Sequence, residues 1–307
     1  MKKSEDGMAI LAYVLVSFFW GSTYLAIKIG VEGMPPMFFA GVRFLIAGLI
    51  MIVFSAIRGY AFPASMREFS RLSLIGLFML LGGNGLVVFA EQWVDSGVAS
   101  LMMATIPIFA GVLEHFFIRT TRLTLKALLG LLLGFFGVYF LLIPAEHGIS
   151  IDIPGILILL SASFLWSTGT VLSKTFKGKS SIVSNIGIQM FAGGVGLMFV
   201  SAITGEFSRV SFSMNSVLAI AYLIVFGSLV AYSSYIYLLQ KWPATKAGTY
   251  AYINPLVAVS LGAIFLGEKI NFLMILSMAA ILLGVLIVQK SKIGVLIVQK
   301  SKIKVSE

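Results

Sequence analysis

Ser17-Phe-Phe-Trp20-Gly-Ser-Thr-Tyr-Leu-Ala-Ile-Lys28 is echoed by Ser163-Phe-Leu-Trp166-Ser-Thr-Gly-Thr-Val-Leu-Ser-Lys174. The two stretches stand 146 residues apart in a chain of 307, and Ser, Phe, Trp and Lys recur in register. The echo continues outward. Arg43-Phe-Leu-Ile-Ala47-Gly48 aligns with Gln189-Met-Phe-Ala-Gly193-Gly194 at the same spacing. Ala104-Thr-Ile-Pro107 aligns with Tyr252-Ile-Asn254-Pro255 at a spacing of 148. The chain therefore reads as two related halves.

Both copies lie in strongly apolar surroundings. Apolar residues make up 59% of the chain and charged residues 11%. A soluble domain carries roughly 45–50% and about 25%. One globular core cannot hide this much apolar surface, so the fold class is an all-α integral membrane protein. There are no cysteines, which removes disulfides and thiolate metal sites. Two histidines, His115 and His147, are too few for a histidine metal site. The N-terminus carries Lys2 and Lys3 before an apolar run from Met8 to Ile27. That run exceeds the ~7–15 residues of a signal peptide, and it holds the first copy of the repeat, so it reads as a retained first helix.

A crossing helix needs about 20 mostly apolar residues. Ten spans fit, near 8–28, 34–57, 72–91, 96–118, 124–143, 153–174, 181–203, 214–239, 245–266 and 270–289. With the N-terminus in the cytoplasm, only Lys28, Arg209 and Lys269 of the 22 Lys and Arg fall outside, and Arg43 lies within a span. All the others are cytoplasmic, a strong positive-inside bias. The bias accounts for the net charge of +10 without nucleic acid and puts both termini in the cytoplasm of a bacterial inner-membrane protein. Each half holds an odd number of spans, so the second starts from the opposite side. The expected fold is two inverted five-helix repeats, 8–143 and 153–289, followed by a basic cytoplasmic tail over 290–307. Inverted repeats place a substrate site near the midplane between the halves.

These residues resemble a known family. Trp20-Gly-Ser-Thr23 with Lys28, Arg43-Phe-Leu45, Gly97-Val-Ala-Ser-Leu101 with Thr105-Ile-Pro107, and Gly267-Glu268-Lys269 with Gly284 are similar to the EamA family of the drug/metabolite transporter superfamily. The likeness covers about 8–289. Ten-helix members look like two EamA domains in tandem, and the resemblance implies export of amino acids and other metabolites, or drug efflux. One departure is visible: where the second half has Gly267-Glu268, the first has Arg119-Thr-Thr-Arg122.

Several residues stand out at depth. Trp20 and Trp166 sit half-way along spans 1 and 6, away from the interfacial belt where Trp usually anchors. They read either as a cavity wall or as helix packing. Thr23 could add a hydrogen bond beside Trp20. A buried Arg costs about 2.5–3.5 kcal/mol on insertion scales, so Arg43 must face protein or water. It reads as an anchor for a substrate carboxylate or as a structural tie, with Gln189 as its repeat mate. Asn84, flanked by Gly82, Gly83 and Gly85, marks a pliable stretch beside a cavity or a tight helix contact. Tyr232 in span 8 and Tyr252 and Asn254 in span 9 belong to the most polar-aromatic stretch of the chain. Together Trp20, Thr23, Arg43, Asn84, Trp166, Gln189, Tyr232, Tyr252 and Asn254 are the candidate substrate contacts. Glu114 and His115 in span 4 are the candidate coupling pair, with pairing to Arg119 the plainer alternative. Pro107 and Pro255 cannot donate four residues back, which frees the carbonyls of Met103 and Ala251 and marks candidate hinges. Lys28 and Lys174 read as snorkelling interface residues or gate charges.

No phosphate-binding loop, zinc motif or nucleophile elbow is present, so no enzyme activity, metal or cofactor is expected. The expected function is a secondary transporter of small organic metabolites working by alternating access. A lipid or lipid-linked sugar flippase is the alternative, with an intramembrane enzyme built on Glu114 and His115 behind it. The partners are a small-molecule substrate and the bilayer; a monomer suffices for a pathway and a homodimer stays open. The tail repeats Gly284–Ile293 as Gly294–Ile303, too short to span again.

Overall fold

The computed structural model describes residues 2–94, 96–118, 121–122, 124–142, 152–266, 271–291 and 294–295. Ten main helices carry the fold: α1 (Lys2–Val31), α2 (Pro36–Ile57), α3 (Met66–Ala90), α4 (Val98–Ile118), α5 (Leu125–Leu142), α6 (Ile153–Thr175), α7 (Ile182–Ile203), α8 (Met214–Lys241), α9 (Tyr250–Leu266) and α10 (Phe272–Lys290). Among the described residues, eight of these helices are long and apolar enough to cross a membrane; α5 and α9 are shorter apolar helices. A two-residue antiparallel pairing of Thr121–Arg122 with Gly294–Val295 is the one extended contact among the described residues.

The helix starts follow local chemistry. Ser65, Asp152, Ser181, Ser213 and Asn271 each accept a backbone N–H at the head of α3, α6, α7, α8 and α10, satisfying a donor that the helix leaves orphaned. The third helix begins at Met66 rather than near 72. Its first turns carry Arg67, Glu68 and Arg71, which an apolar window discards but a capped, interfacial helix start accommodates.

The interior is largely apolar, as in a soluble protein, but so is the exterior. Phe116, Phe117, Phe199, Ile203 and Leu283 point outward, as lipid requires. Arg43, Ser163, Ser167, Thr170, Gln189, Ser228 and Asn254 are buried among the helices.

Packing runs across the two halves. α2 lies on α7, α5 on α10, α1 on α8 and α9, and α6 on α3 and α4. Thus helix 2 meets its repeat mate, helix 5 meets its mate, and each half's first helix docks on helices 3 and 4 of the other. The α2/α7 pair is antiparallel: Gly41 meets Met198, Gly48 meets Phe191 and Gly187 meets Ile52. The α5/α10 pair is antiparallel too, with Gly130 against Ile287, Gly134 against Gly284 and Gly137 against Ile281. Small residues let these backbones close up, the packing that lipid-embedded helices favour.

Two helices are wound more loosely at matched places. α3 is a π-helix over Leu77–Gly85 and α8 over Leu223–Tyr232. Leu77 and Leu223 stand at the spacing of the doubled Trp motif, so the repeat is written into backbone geometry as well as sequence. π segments are rare and frequent at functional sites.

The prolines do not distort α4 and α9 alike. α4 breaks at Ala104–Thr105, and Pro107 sits in the first turn of the resumed helix. There its missing N–H costs nothing. Pro255 lies inside the continuous α9, while the second-half break falls at Thr249, between the short helix Ala244–Gly248 and α9. Hydroxyls fill the α4 break. Thr105 Oγ1 donates to the Met102 carbonyl (2.6 Å) and meets Ser163 Oγ (2.7 Å), and Ser167 Oγ donates to the Ile106 carbonyl (3.2 Å).

Candidate functional site

A cavity of about 50 Å³ lies where the halves meet, walled by α1, α2, α3, α4, α6, α8 and α9. A water needs roughly 10–15 Å³ of such space, so the cavity has room for a few waters. Of the expected substrate contacts, Trp20, Thr23, Arg43, Asn84, Trp166, Tyr232 and Asn254 line it. Both π segments contribute: Leu80 and Asn84 from one, Gly227 and Tyr232 from the other.

The two repeat-related tryptophans touch. Trp20 and Trp166 meet edge to face with ring centres 5.2 Å apart, and Tyr235 and Tyr250 close the cluster at 5.2 Å and 4.7 Å from Trp20. Edge-to-face pairs of this kind are each worth about 0.5–1.5 kcal/mol beyond burial. Their polar handles differ. Trp20 Nε1 donates to the Gly227 carbonyl (2.9 Å). Trp166 Nε1 is buried toward the Tyr235 and Tyr250 hydroxyls.

Arg43 is 2% exposed. Its Nε donates to Ser228 Oγ (2.9 Å), its guanidinium lies 4.6 Å from the Phe44 ring centre, and Nη1 has no partner. Gly227 leaves room for it: a Cβ there would stand 2.7 Å from Nη2. Asn84 Oδ1 is also buried and unpartnered. Its glycines are indeed close contacts, since a Cβ on Gly83 would stand 2.9 Å from the Trp166 ring and one on Gly82 2.8 Å from Leu165. The Asn254 amide, turned with its nitrogen toward the Ser17 (3.2 Å) and Tyr250 (3.1 Å) carbonyls, is held in place. Thr23 Oγ1 is occupied by the Trp20 carbonyl (2.7 Å).

Two expected contacts stand elsewhere. Tyr252 is fully buried against α5, its hydroxyl on the Leu131 carbonyl (2.8 Å) and its ring over Gly134. Gln189 accepts from Tyr232 Oη (2.8 Å) and borders a separate cavity of about 80 Å³ with Asn185, Leu72 and Ile236. Tyr232, Tyr235, Tyr250 and Tyr252 are all buried in protein, so they line no opening toward lipid.

Glu114 and His115 part company. His115 faces outward beside Phe116. Glu114 is 1% exposed and accepts from the Ala244 N–H (3.2 Å), the Thr245 N–H (3.3 Å) and Thr245 Oγ1 (3.3 Å), with Lys174 Nζ at 4.0 Å. It therefore caps the short helix before the Thr249 break. Glu114→Ala is expected to lower stability in detergent by about 1–3 kcal/mol by leaving those amides unsatisfied. Thermal unfolding followed by size-exclusion checks it, and Glu114→Gln, which keeps an acceptor, should lose less.

Lys28 and Lys174 share one job. Lys28 Nζ donates to the Glu91 carbonyl (3.0 Å) at the end of α3. Lys174 Nζ donates to the Leu239 (3.2 Å) and Trp242 (2.7 Å) carbonyls at the end of α8. Each caps the C-terminus of the third helix in its own half, where a cation suits the helix dipole. One residue escaped the sequence reading. Glu91, just past α3, is wholly buried, and both carboxylate oxygens lack a hydrogen-bond partner. The available signal was an acid at the end of an apolar run on the side where the charge bias leaves few cations.

The sequence matches the EamA-like transporter family over residues 7–143 and again over 153–289. The chain belongs to this family. Among its relatives, the uncharacterized inner membrane transporter YedA of Escherichia coli (strain K12) is 36% identical over 89% of this chain and 88% of that protein. A probable amino-acid metabolite efflux pump of the same organism is 25% identical over 92% and 94%. A solved crystal structure, 19% identical, superposes with a TM-score of 0.76 over 91% of this chain and 95% of that one, which speaks for the fold alone. As an EamA-like transporter with several helices able to cross a membrane, the chain is a membrane transporter.

Proposed function

We propose that this chain is a secondary transporter of small organic metabolites that carry a carboxylate, such as amino acids, across the bacterial inner membrane. It is proposed to work in the direction of export, without catalysis, by alternating access of two inverted five-helix halves. The observation that carries this is the central cavity: Arg43 Nη1 is a buried donor without a partner, set beside an aromatic wall. A buried cation in the wall of such a space suits an anion, and the rings suit its apolar part. Asn84 Oδ1, an unpartnered acceptor in the same wall, suits the ammonium of a zwitterion.

Ten spans and inversion are supported by the antiparallel contacts of α2 with α7 and α5 with α10, since repeat mates in inverted halves must run oppositely. Alternating access is supported by the cavity's small size and its separation from the larger spaces near Met34 and Glu206 at one end and near Lys174 and Gln240 at the other. A substrate must therefore enter a differently opened conformer. Export is supported by the relative bearing the efflux-pump name. The positive-inside bias supports cytoplasmic termini.

Proteoliposomes holding the purified chain are expected to exchange radiolabelled L-amino acids in counterflow. Absence of exchange across the full set of twenty, in both gradient directions, would overturn the reading.

A further inference from the structure

The Lys28 and Lys174 caps are the same device caught in two settings. In the second half, Lys174 touches main-chain carbonyls of the α8 end and also stands 4.0 Å from a carboxylate, Glu114, whose oxygens are held by the Ala244 and Thr245 donors. In the first half, Lys28 touches the α3 end through the Glu91 carbonyl, and the fully buried Glu91 carboxylate feels the Lys28 charge but has no hydrogen-bond partner and no close ion pair among the described residues. A bare buried carboxylate is among the costliest groups a protein can hold. It is tolerable when a cation moves onto it or when it carries a proton. The C-terminal end of α3 adds its own negative dipole, which sharpens the choice.

We propose that Glu91 is a proton-binding site coupled to Lys28. With the proton on, Glu91 is a neutral acid and Lys28 caps the α3 carbonyl, as seen here. With the proton off, the Lys28 ammonium leaves that carbonyl for the Glu91 carboxylate, the arrangement Lys174 and Glu114 approach in the other half. The step makes and breaks one O–H bond, and the proton exchanges with water. The open space lined by Glu32, Leu86, Phe89 and Gln92 flanks this end of α3, and the proposed route for the proton runs from it. The switch borders the central cavity directly: Ile27, next to Lys28, and Val87, one turn before Glu91, both line it. Moving Lys28 uncaps α3, whose π segment carries Asn84 into the same cavity.

Glu32 and Arg209 border the open space beside this end of α3, Arg209 Nη2 donating to the Thr204 carbonyl (3.4 Å). Tyr24 of α1 feels the Glu91 charge and also lines the cavity. Arg43, the charged residue of α2, is turned to Ser228. Asp152 at the head of α6 is engaged by Trp93 Nε1 (2.6 Å) and the Gly155 N–H (3.2 Å), and Glu206 by the Phe38 N–H (2.8 Å). Asp95 lies outside the described residues.

The side of the membrane from which the proton arrives rests on the orientation proposed above; the existence of the site does not. The test is therefore made without substrate. The full chain, with ¹³C-labelled glutamate, is reconstituted in lipid nanodiscs, and infrared difference spectra are taken as the buffer moves from mildly acidic to mildly alkaline. A protonated-carboxyl band carrying the isotope shift is expected to disappear on the alkaline side. It should be absent from Glu91→Gln and retained in Glu114→Gln. In Glu91→Asp the band should return without the isotope shift, since aspartate is unlabelled. That variant also decides the matter if Glu91→Gln fails to fold. A wild type with no titrating carboxyl band, or a band that persists unchanged in both Glu91 variants, overturns the proposal.

Discussion

Arg43→Met is expected to abolish amino-acid counterflow while leaving the protein at least as stable as before. The two readings of Arg43 separate on this variant. If the guanidinium were a structural tie, removing it would cost the folded state its bonds. Here it makes one hydrogen bond, to Ser228, while Nη1 has none and no carboxylate pairs with it among the described residues. An uncompensated buried charge is a burden that an apolar side chain of similar length relieves. The expected melting temperature is therefore unchanged or higher. The substrate loses a charge-assisted contact worth about 1.5–3 kcal/mol, which corresponds to roughly a tenfold to hundredfold fall in affinity. Arg43→Lys keeps the charge but not the planar fork, and should recover only part of the flux. A large loss of stability in Arg43→Met with residual flux in the surviving protein would reverse the assignment.

The legible part of the site is the part that the repeat wrote twice or that polarity made rare. Trp20 and Trp166 were visible because identical residues at matched mid-depth positions have no interfacial excuse, and they meet across the halves. Arg43 was visible because a cation at that depth must find protein or water. Tyr252 and Gln189 were misplaced for one physical reason. In helices apolar all round, no polar face tells which way a side chain points, so rotation about the axis is decided by packing. Tyr252 turns to α5 because Gly134 makes a seat for its ring. Glu91 was passed over at the end of the 72–91 span. Its burial comes from neighbours distant in sequence, and the sequence does not show which neighbours close over a helix end. The matched π segments were half-visible in the glycines around Asn84, but a hydrogen-bond register is a property of the packed helix, not of the composition. The hinge expectation failed by position: Pro107 starts a helix, while Pro255 rides inside one six residues after the break at Thr249.

The largest effect on folding is expected from Gly48→Val. Gly48 sits where α2 crosses α7, and a Cβ there would run into the Phe191 main-chain nitrogen, 2.8 Å from the Phe191 Cα and 3.0 Å from the Gly187 carbonyl oxygen. These are backbone atoms of a helix that cannot turn aside as a side chain can. The two helices would have to separate along their length, and α2/α7 is the contact that joins the second helices of the two halves. Overpacking alone costs about 1–3 kcal/mol, and prising apart a small-residue helix contact in lipid also forfeits the dispersion that holds it. The expected result is little or no monodisperse protein by size-exclusion, with a clear drop in melting temperature for what remains. Gly7→Val is the matched control, since nothing lies within 4 Å of a Cβ at Gly7, and it should behave as the parent. Gly187→Val strikes the same crossing from the α7 side, where the Ile52 N–H and side chain stand 3.0 Å away. Because both substitutions spend the same separation, Gly48→Val with Gly187→Val should cost less than the two taken singly. Full additivity would mean that the helices do not meet as a single seam, and that the halves are joined elsewhere.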